Sequence, residues 1–346
     1  MTKQILVGGV PVGGGAPVSI QSMCSTKTHD TVATVEQIRR LQAAGCEIVR
    51  VAVPDLPAAK AIGAIKEQIA IPLVADIHFD YKLALEAVAA GADKVRINPG
   101  NIGGTDRVKA VADACRLRNV PIRIGVNGGS LEKPLLAKYG GITPEALVES
   151  AMGHIALLNR FDFDNICVSL KSSSVPVAMA AYRLMAQRTE YPLHLGVTEA
   201  GTLHMGTLKS AVGIGGLLAM GIGDTLRVTL TADPVEEIYV ARDILKAVGL
   251  RREGPELISC PTCGRTNIDL ITLAQEVERR LQAVEKPITV AVMGCAVNGP
   301  GEASAADVGI AAGNGVGVLF QKGKIVKKVP AEVLADELMK LIGELE

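Results

Sequence analysis

The chain has no tryptophan, four phenylalanines and five tyrosines, which leaves few aromatic platforms for stacking nucleic-acid bases. It also lacks an excess of either charge, since 36 Lys and Arg balance 36 Asp and Glu. No bulk field is therefore available for nucleic acid or an anionic membrane, and any preference for anions must come from local clustering. Long apolar runs are missing too. The uncharged stretch Ser210–Gly223 contains five glycines and is shorter than the roughly 20 residues of a membrane span. The opening MTKQILVGGVPVGGG has too short an apolar stretch for a secretory signal, so a cytoplasmic location is expected, with neither nucleic acid nor membrane as partner. Seven cysteines form too odd and sparse a set for a disulfide scaffold, and reduced thiols are expected.

What is present suffices for a full core: of 346 residues, 48% are hydrophobic and 21% charged. Short β-branched runs alternate with amphipathic helical stretches, the pattern of parallel strands joined by helical crossovers. Eight runs qualify: Pro17–Ser22, Glu47–Val53, Pro72–Ile77, Lys94–Asn98, Pro121–Val126, Asn165–Leu170, Pro192–Thr198 and Thr225–Thr229. Eight strand–helix units predict a closed (β/α)8 TIM-type barrel over residues 1–250, with a doubly wound open sheet as the alternative. After Gly249 the texture changes. LRREGPELISCPTCGR reads as a loop. A helix over Asn267–Val284, a strand over Pro287–Met293, alternating stretches at Val308–Ala311 and Val316–Val329 and a closing helix at Ala331–Leu345 predict a small α+β domain over 251–346. The glycine clusters Gly8–Gly15 and Gly313–Val318 do not follow a strand and open a helix, so hairpin turns are expected there rather than nucleotide loops.

Active sites of such barrels lie at the C-terminal ends of the strands. There the sequence puts Arg50, then Asp76 and His78, Arg96 and Asn98, Arg123 and Asn127, Lys171, Glu199, and finally Arg227 and Thr229. A strand buried on both faces does not keep an arginine without a partner, because an unpaired buried charge costs several kcal/mol. Any one of these cations is equally well explained by a structural ion pair. Together with the amide side chains they read as a pocket for a multiply charged anion, most economically a diphosphate. The loop NPGNIGGTD adds backbone N–H groups ahead of the next helix. His78 beside Asp76 is a candidate acid–base pair, and Glu199 a counter-ion or proton donor. His29, His154, His194 and His204 are expected to be structural, as are the scattered Cys24, Cys46, Cys115 and Cys167.

Cys260 and Cys263 form C-x2-C in CPTCGR, and Cys295 follows after 31 intervening residues in GCAVNGPGE. Three thiolates in this arrangement signal a metal. No histidine and no fourth cysteine lies in this part of the chain, and the nearest fourth ligand is Glu302 on the NGPGE turn. Three soft thiolates with one exchangeable oxygen suit an iron-sulfur cluster that keeps one iron available for chemistry. A zinc site, serving a zinc-dependent barrel transferase, is the alternative.

These motifs, with VRVAVP, ADIHF, KVRINPGN, IRIGVNGGSL, SLKSS and GVTEAG, make the chain closely similar over its length to the GcpE or IspG family of bacterial 4-hydroxy-3-methylbut-2-enyl diphosphate synthases. The resemblance implies a barrel joined to a small domain similar to a sulfite-reductase module. That domain would carry a [4Fe-4S] cluster on Cys260, Cys263, Cys295 and Glu302. It further implies a cyclic diphosphate substrate of the methylerythritol phosphate route and two electrons from a flavodoxin or ferredoxin. Implied contacts are Arg50, Asp76, His78, Arg96, Asn98, Arg123, Asn127, Lys171 and Thr229, with Glu199 as the acidic group near the chemistry. A head-to-tail homodimer is implied as well. At 346 residues the chain matches the short form, which has no inserted domain, and Thr229 stands where serine is common.

Overall fold

A hairpin of β1 (Ile5–Val7) and β2 (Val10–Val12) precedes eight parallel strands in the computed structural model, which describes residues 1–98, 100–266, 268–295, 303–313 and 315–345. The strands are β3 (Ser19–Met23), β4 (Ile48–Ala52), β5 (Leu73–Asp76), β6 (Lys94–Ile97), β7 (Ile122–Asn127), β8 (Ile166–Lys171), β9 (His194–Leu195) and β10 (Thr225–Leu226). Each pairs with its neighbour in chain order, β10 returns to β3, and a parallel bridge from Val168 to Leu193 joins β8 to the entry of β9. The sheet thus closes into the expected (β/α)8 barrel. β9 and β10 are shorter than their apolar runs. Beyond them the ladder thins to single bonds, Arg227 N–H to the Leu195 carbonyl and Thr198 N–H to that of Ser172.

Side chains alternate across each strand. One set, including Val49, Val51, Val95, Ile97, Ile122, Ile124, Val168 and Leu170, is apolar, fully buried and packed with the surrounding helices in one large core. Each such side chain contributes about 1.5–3 kcal/mol, so this outer layer holds the barrel together and frees the inner one for other uses. The helices begin at local signals in the sequence. Asp30, Asp55, Asp80 and Asp233 accept backbone N–H groups at the starts of Thr31–Ala44, Leu56–Lys66, Tyr81–Ala89 and Pro234–Ala247. The β1–β2 hairpin sets Ile5, Val7 and Val12 against Ile48, Val74 and Cys167, so an apolar plug seals the end of the barrel opposite the strand C-termini.

The chain divides into two compact units, Met1–Leu250 and Arg251–Glu346. The second has its own sheet: β11 (Glu256–Ser259), β12 (Thr289–Met293) and β13 (Val308–Gly313) run parallel, and β14 (Val316–Gln321) and β15 (Lys324–Pro330) continue antiparallel. Helices Leu270–Leu281 and Leu334–Gly343 bury Val277, Leu281, Leu338 and Ile342 against it. Here the sequence reading needs one correction, because ELIS within the segment read as loop is β11. It is a partly exposed edge strand of four residues, too short to display a period. Both glycine clusters carry hairpins, between β1 and β2 and between β13 and β14. No helix among the described residues is long and apolar enough to cross a membrane.

The plug yields a first prediction. Ile5→Ala should lower stability in urea unfolding of the full chain by about 2–5 kcal/mol, and a loss below about 0.5 kcal/mol would mean that the hairpin does not pack on the barrel.

Candidate active site

The strand registers, with the stagger of an eight-stranded barrel, place the inward side chains in tiers of four drawn from alternate strands. Next to the plug lie Ile48, Lys94, Cys167 and Thr225, then Gln21, Val74, Arg123 and His194. Above them stand Arg50, Arg96, Ser169 and Arg227, then Met23, Asp76, Gly125 and Gly196. Asn98, Lys171 and Thr229 follow, with His78 and Asn127 at the rim. The cations read from the sequence converge, but not at one depth: Arg123, wholly buried, sits a tier below Arg50 and Arg96.

Asp76 is the carboxylate that faces them. Its Oδ1 accepts from Arg96 Nη1 at 3.1 Å, and its Oδ2 lies 3.6 Å from both Arg50 Nε and His78 Nε2. Burial raises this carboxyl, but Arg50, the hydrogen bond from His78 and Arg96 together hold it well below the usual carboxylate range. Burial, with the neighbouring cations beside it, pushes Arg50 and Lys171 well below their ordinary values. One aspartate therefore does not neutralise the cluster, and a polyanion would.

Two glycines make the crowding possible. A Cβ on Gly125 would lie 2.3 Å from Arg96 Nε, and one on Gly196 would lie 3.3 Å from Lys171 Nζ. Arg96 Nη2 also donates to the Gly125 carbonyl at 3.3 Å. Met23 accepts from Arg50 Nε at 3.2 Å and Nη2 at 3.0 Å, a soft contact that fixes the guanidinium without neutralising it. Arg227 is held by Glu237 of helix Pro234–Ala247 through two bonds of 3.2 Å. Glu237 is fully engaged, since it also accepts from Ser22 Oγ and the Leu230 N–H.

At the rim Asn98 accepts from the Gly100 N–H at 3.2 Å and donates to Ser130 Oγ at 3.4 Å, and Ser130 Oγ donates in turn to the Asn127 carbonyl. The Asn98 loop also rests on His154, itself 3.0 Å from Glu132, with the Gly100 Cβ position 3.3 Å from the imidazole. Thr229 Oγ1 is buried and makes no hydrogen bond among the described residues. Glu199 is exposed, and its backbone takes a φ of 52°, a strained value for a residue other than glycine. It forms no ion pair with the described cations, so the counter-ion is Asp76 and not Glu199. Sequence reasoning missed Met23, Glu237 and the two glycines. Their signal was the strict alternation in IRIGVN and LHLGVT, where glycine occupies an inward position beside a neighbouring strand's long cation.

In the second unit Cys260 directly follows β11, and Cys295 follows β12, its parallel partner, after one intervening residue. That pairing brings the two cysteines to the same end of the sheet. The Gly294 N–H donates to Cys260 Sγ at 3.2 Å, and the missing Cβ of Gly294 would lie 3.0 Å from Thr266. Thr266 accepts from the Cys263 N–H at 3.2 Å, so the C-x2-C loop is folded against the residue before Cys295. Hydrogen bonds from the Arg265 backbone and side chain lower the exposed Cys263 thiol toward the thiolate. The donor set thus fits a thiolate-bound metal cluster, although among the described residues no three ligating side chains already stand in coordination geometry. Glu302 lies outside the described residues.

Comparison with known proteins agrees with both halves. The family model described as GcpE TIM-barrel domain matches residues 2–242, and that described as GcpE protein C-terminal domain matches 256–344. A protein of Geobacter sulfurreducens named 4-hydroxy-3-methylbut-2-en-1-yl diphosphate synthase (flavodoxin) is 62% identical, covering 100% of this chain and 97% of its own. One of the same name from Caldanaerobacter subterraneus is 59% identical over the same shares. Among solved structures, a dihydropteroate synthase from Coxiella burnetii aligns with TM-score 0.51 at 10% identity, covering 72% of this chain and 100% of its own, a likeness of fold alone. The chain belongs to the GcpE family.

Proposed function

We propose that this protein converts 2-C-methyl-D-erythritol 2,4-cyclodiphosphate to (E)-4-hydroxy-3-methylbut-2-enyl diphosphate, a reductive ring opening with loss of water in the methylerythritol phosphate route to isoprenoids. The observation that carries the reading is the excess of buried cation over carboxylate in the barrel, on a chain related along its whole length to synthases of that name. Arg50, Arg96, Arg123 and Lys171 bind the diphosphate, with Asn98, Asn127 and Thr229 as neutral donors around it. Asp76 holds Arg50 and Arg96 in place and orients His78. Glu199 and His78, both exposed at the rim, handle protons. Cys260, Cys263 and Cys295, with Glu302, hold a [4Fe-4S] cluster, which when bound supplies the two electrons singly. The relatives' name supports a flavodoxin as donor, and the absence of a spanning helix among the described residues is compatible with a cytoplasmic enzyme. A head-to-tail homodimer, one chain's cluster serving its partner's barrel, completes the reading. The zinc-transferase alternative has no support among the relatives.

Protein purified without oxygen should be brown, absorb broadly near about 400 nm and contain iron and sulfide; colourless protein with zinc would overturn the cluster. Glu199→Gln should bind substrate normally and turn over about 10²–10⁴-fold more slowly, and equal turnover would remove Glu199 from the chemistry. Gly125→Ala, by displacing Arg96, should weaken pyrophosphate binding about tenfold or more in calorimetry while the fold is kept. Mixing Cys295→Ser chains with Arg96→Ala chains should restore activity if sites are shared between subunits, and a mixture as dead as its components would refute the shared site.

A further inference from the structure

Below the Arg50–Arg96–Arg227 tier the barrel interior stays polar, and apart from Arg123, which reaches up to the diphosphate site, its groups have no assigned function. Lys94 Nζ, Arg123 Nε and Nη1, both His194 ring nitrogens and both Gln21 amide atoms are buried, and none has a hydrogen-bond partner among the described residues. They come from four different strands and occupy two adjacent tiers, with no carboxylate in either. The carboxylates nearby are engaged elsewhere: Asp76 by Arg50 and Arg96, Asp93 by Lys66 and the Leu73 N–H, Asp224 by Thr2 and the Leu193 N–H. Cys167, beside Lys94, supplies no counter-charge because burial raises its thiol. The Tyr182 hydroxyl donates outward, to the His194 carbonyl. Water would satisfy the donors but not the charge. An anion satisfies both.

We infer that Lys94, Arg123, His194 and Gln21 form a second anion-binding level beneath the diphosphate site, which takes either a small inorganic ion such as chloride or the lowest phosphoryl oxygens of the ligand above. The chloride form stands by itself. The phosphoryl form deepens the diphosphate reading and rests on it.

The test uses the full chain and Lys94→Met, which keeps length and removes charge. Thermal melting at constant ionic strength compares chloride with gluconate, an anion too large for the interior, and calorimetry follows inorganic pyrophosphate. A free-ion site raises the wild-type melting temperature in chloride over gluconate, and Lys94→Met loses that rise while melting no lower than wild type in gluconate. A phosphoryl site leaves melting indifferent to chloride but weakens pyrophosphate about tenfold in the variant. Should Lys94→Met not fold, bromide-soaked crystals of the wild type replace it, with anomalous density between Lys94 and Arg123 as the supporting result. Wild type indifferent to chloride together with equal pyrophosphate affinity in the variant overturns the inference, as do, when the variant is lost, wild-type crystals that show neither bromide nor, after a pyrophosphate soak, a phosphoryl group at that level. Wild type that binds no pyrophosphate yet responds to chloride refutes the diphosphate reading and leaves this one standing.

Discussion

Like charges buried inside a barrel govern this molecule. Guanidinium groups at 3.1 and 3.6 Å from a single aspartate leave positive charge uncompensated, and the low dielectric around them magnifies both attraction and repulsion. Such an arrangement survives because the opposite faces of the strands are apolar, Ser22 of β3 excepted. The outer layer supplies the stability that the inner layer gives up, and the same alternation of side chains serves both. The two glycines belong to this constraint, since long cations from alternate strands fit into the interior only where the strand between them contributes no side chain.

The second unit solves a different problem by simpler means. Cys260 and Cys295 are far apart in sequence, and a parallel pair of strands brings them to the same end of the sheet. Backbone N–H groups then do the fine work, as with Gly294 on Cys260. Such donors orient the sulfur, which is the role that surrounding groups play around metal ligands generally.

Much of this was visible in the primary structure. The eight runs identified the barrel because buried parallel strands read as β-branched segments, and arginines inside them contradicted burial strongly enough to mark the interior. The C-x2-C motif was legible because its spacing is local. The rest depended on neighbours that a linear reading does not supply. Glu237 is only ten residues from Arg227, yet its role follows from the angle at which its helix packs. Gly125 and Gly196 acquire meaning from side chains on other strands. β11 is four residues long and is defined by a partner some thirty residues away, so no window along the chain contains the pair. His194 is by sequence a lone imidazole in an apolar run, the mark of a structural residue, and only the registers reveal that it shares a tier with Arg123.

The hairpin that closes the base of the barrel makes it a blind vessel. With Ile5, Val7 and Val12 seated on Ile48, Val74 and Cys167, nothing passes through the floor, and arrival and departure share one doorway. A molecule that has just reacted must back out past the groups that guided it in, so the grip that speeds capture also slows clearance. The affinity of such a cul-de-sac for its own product is therefore bound up with its throughput.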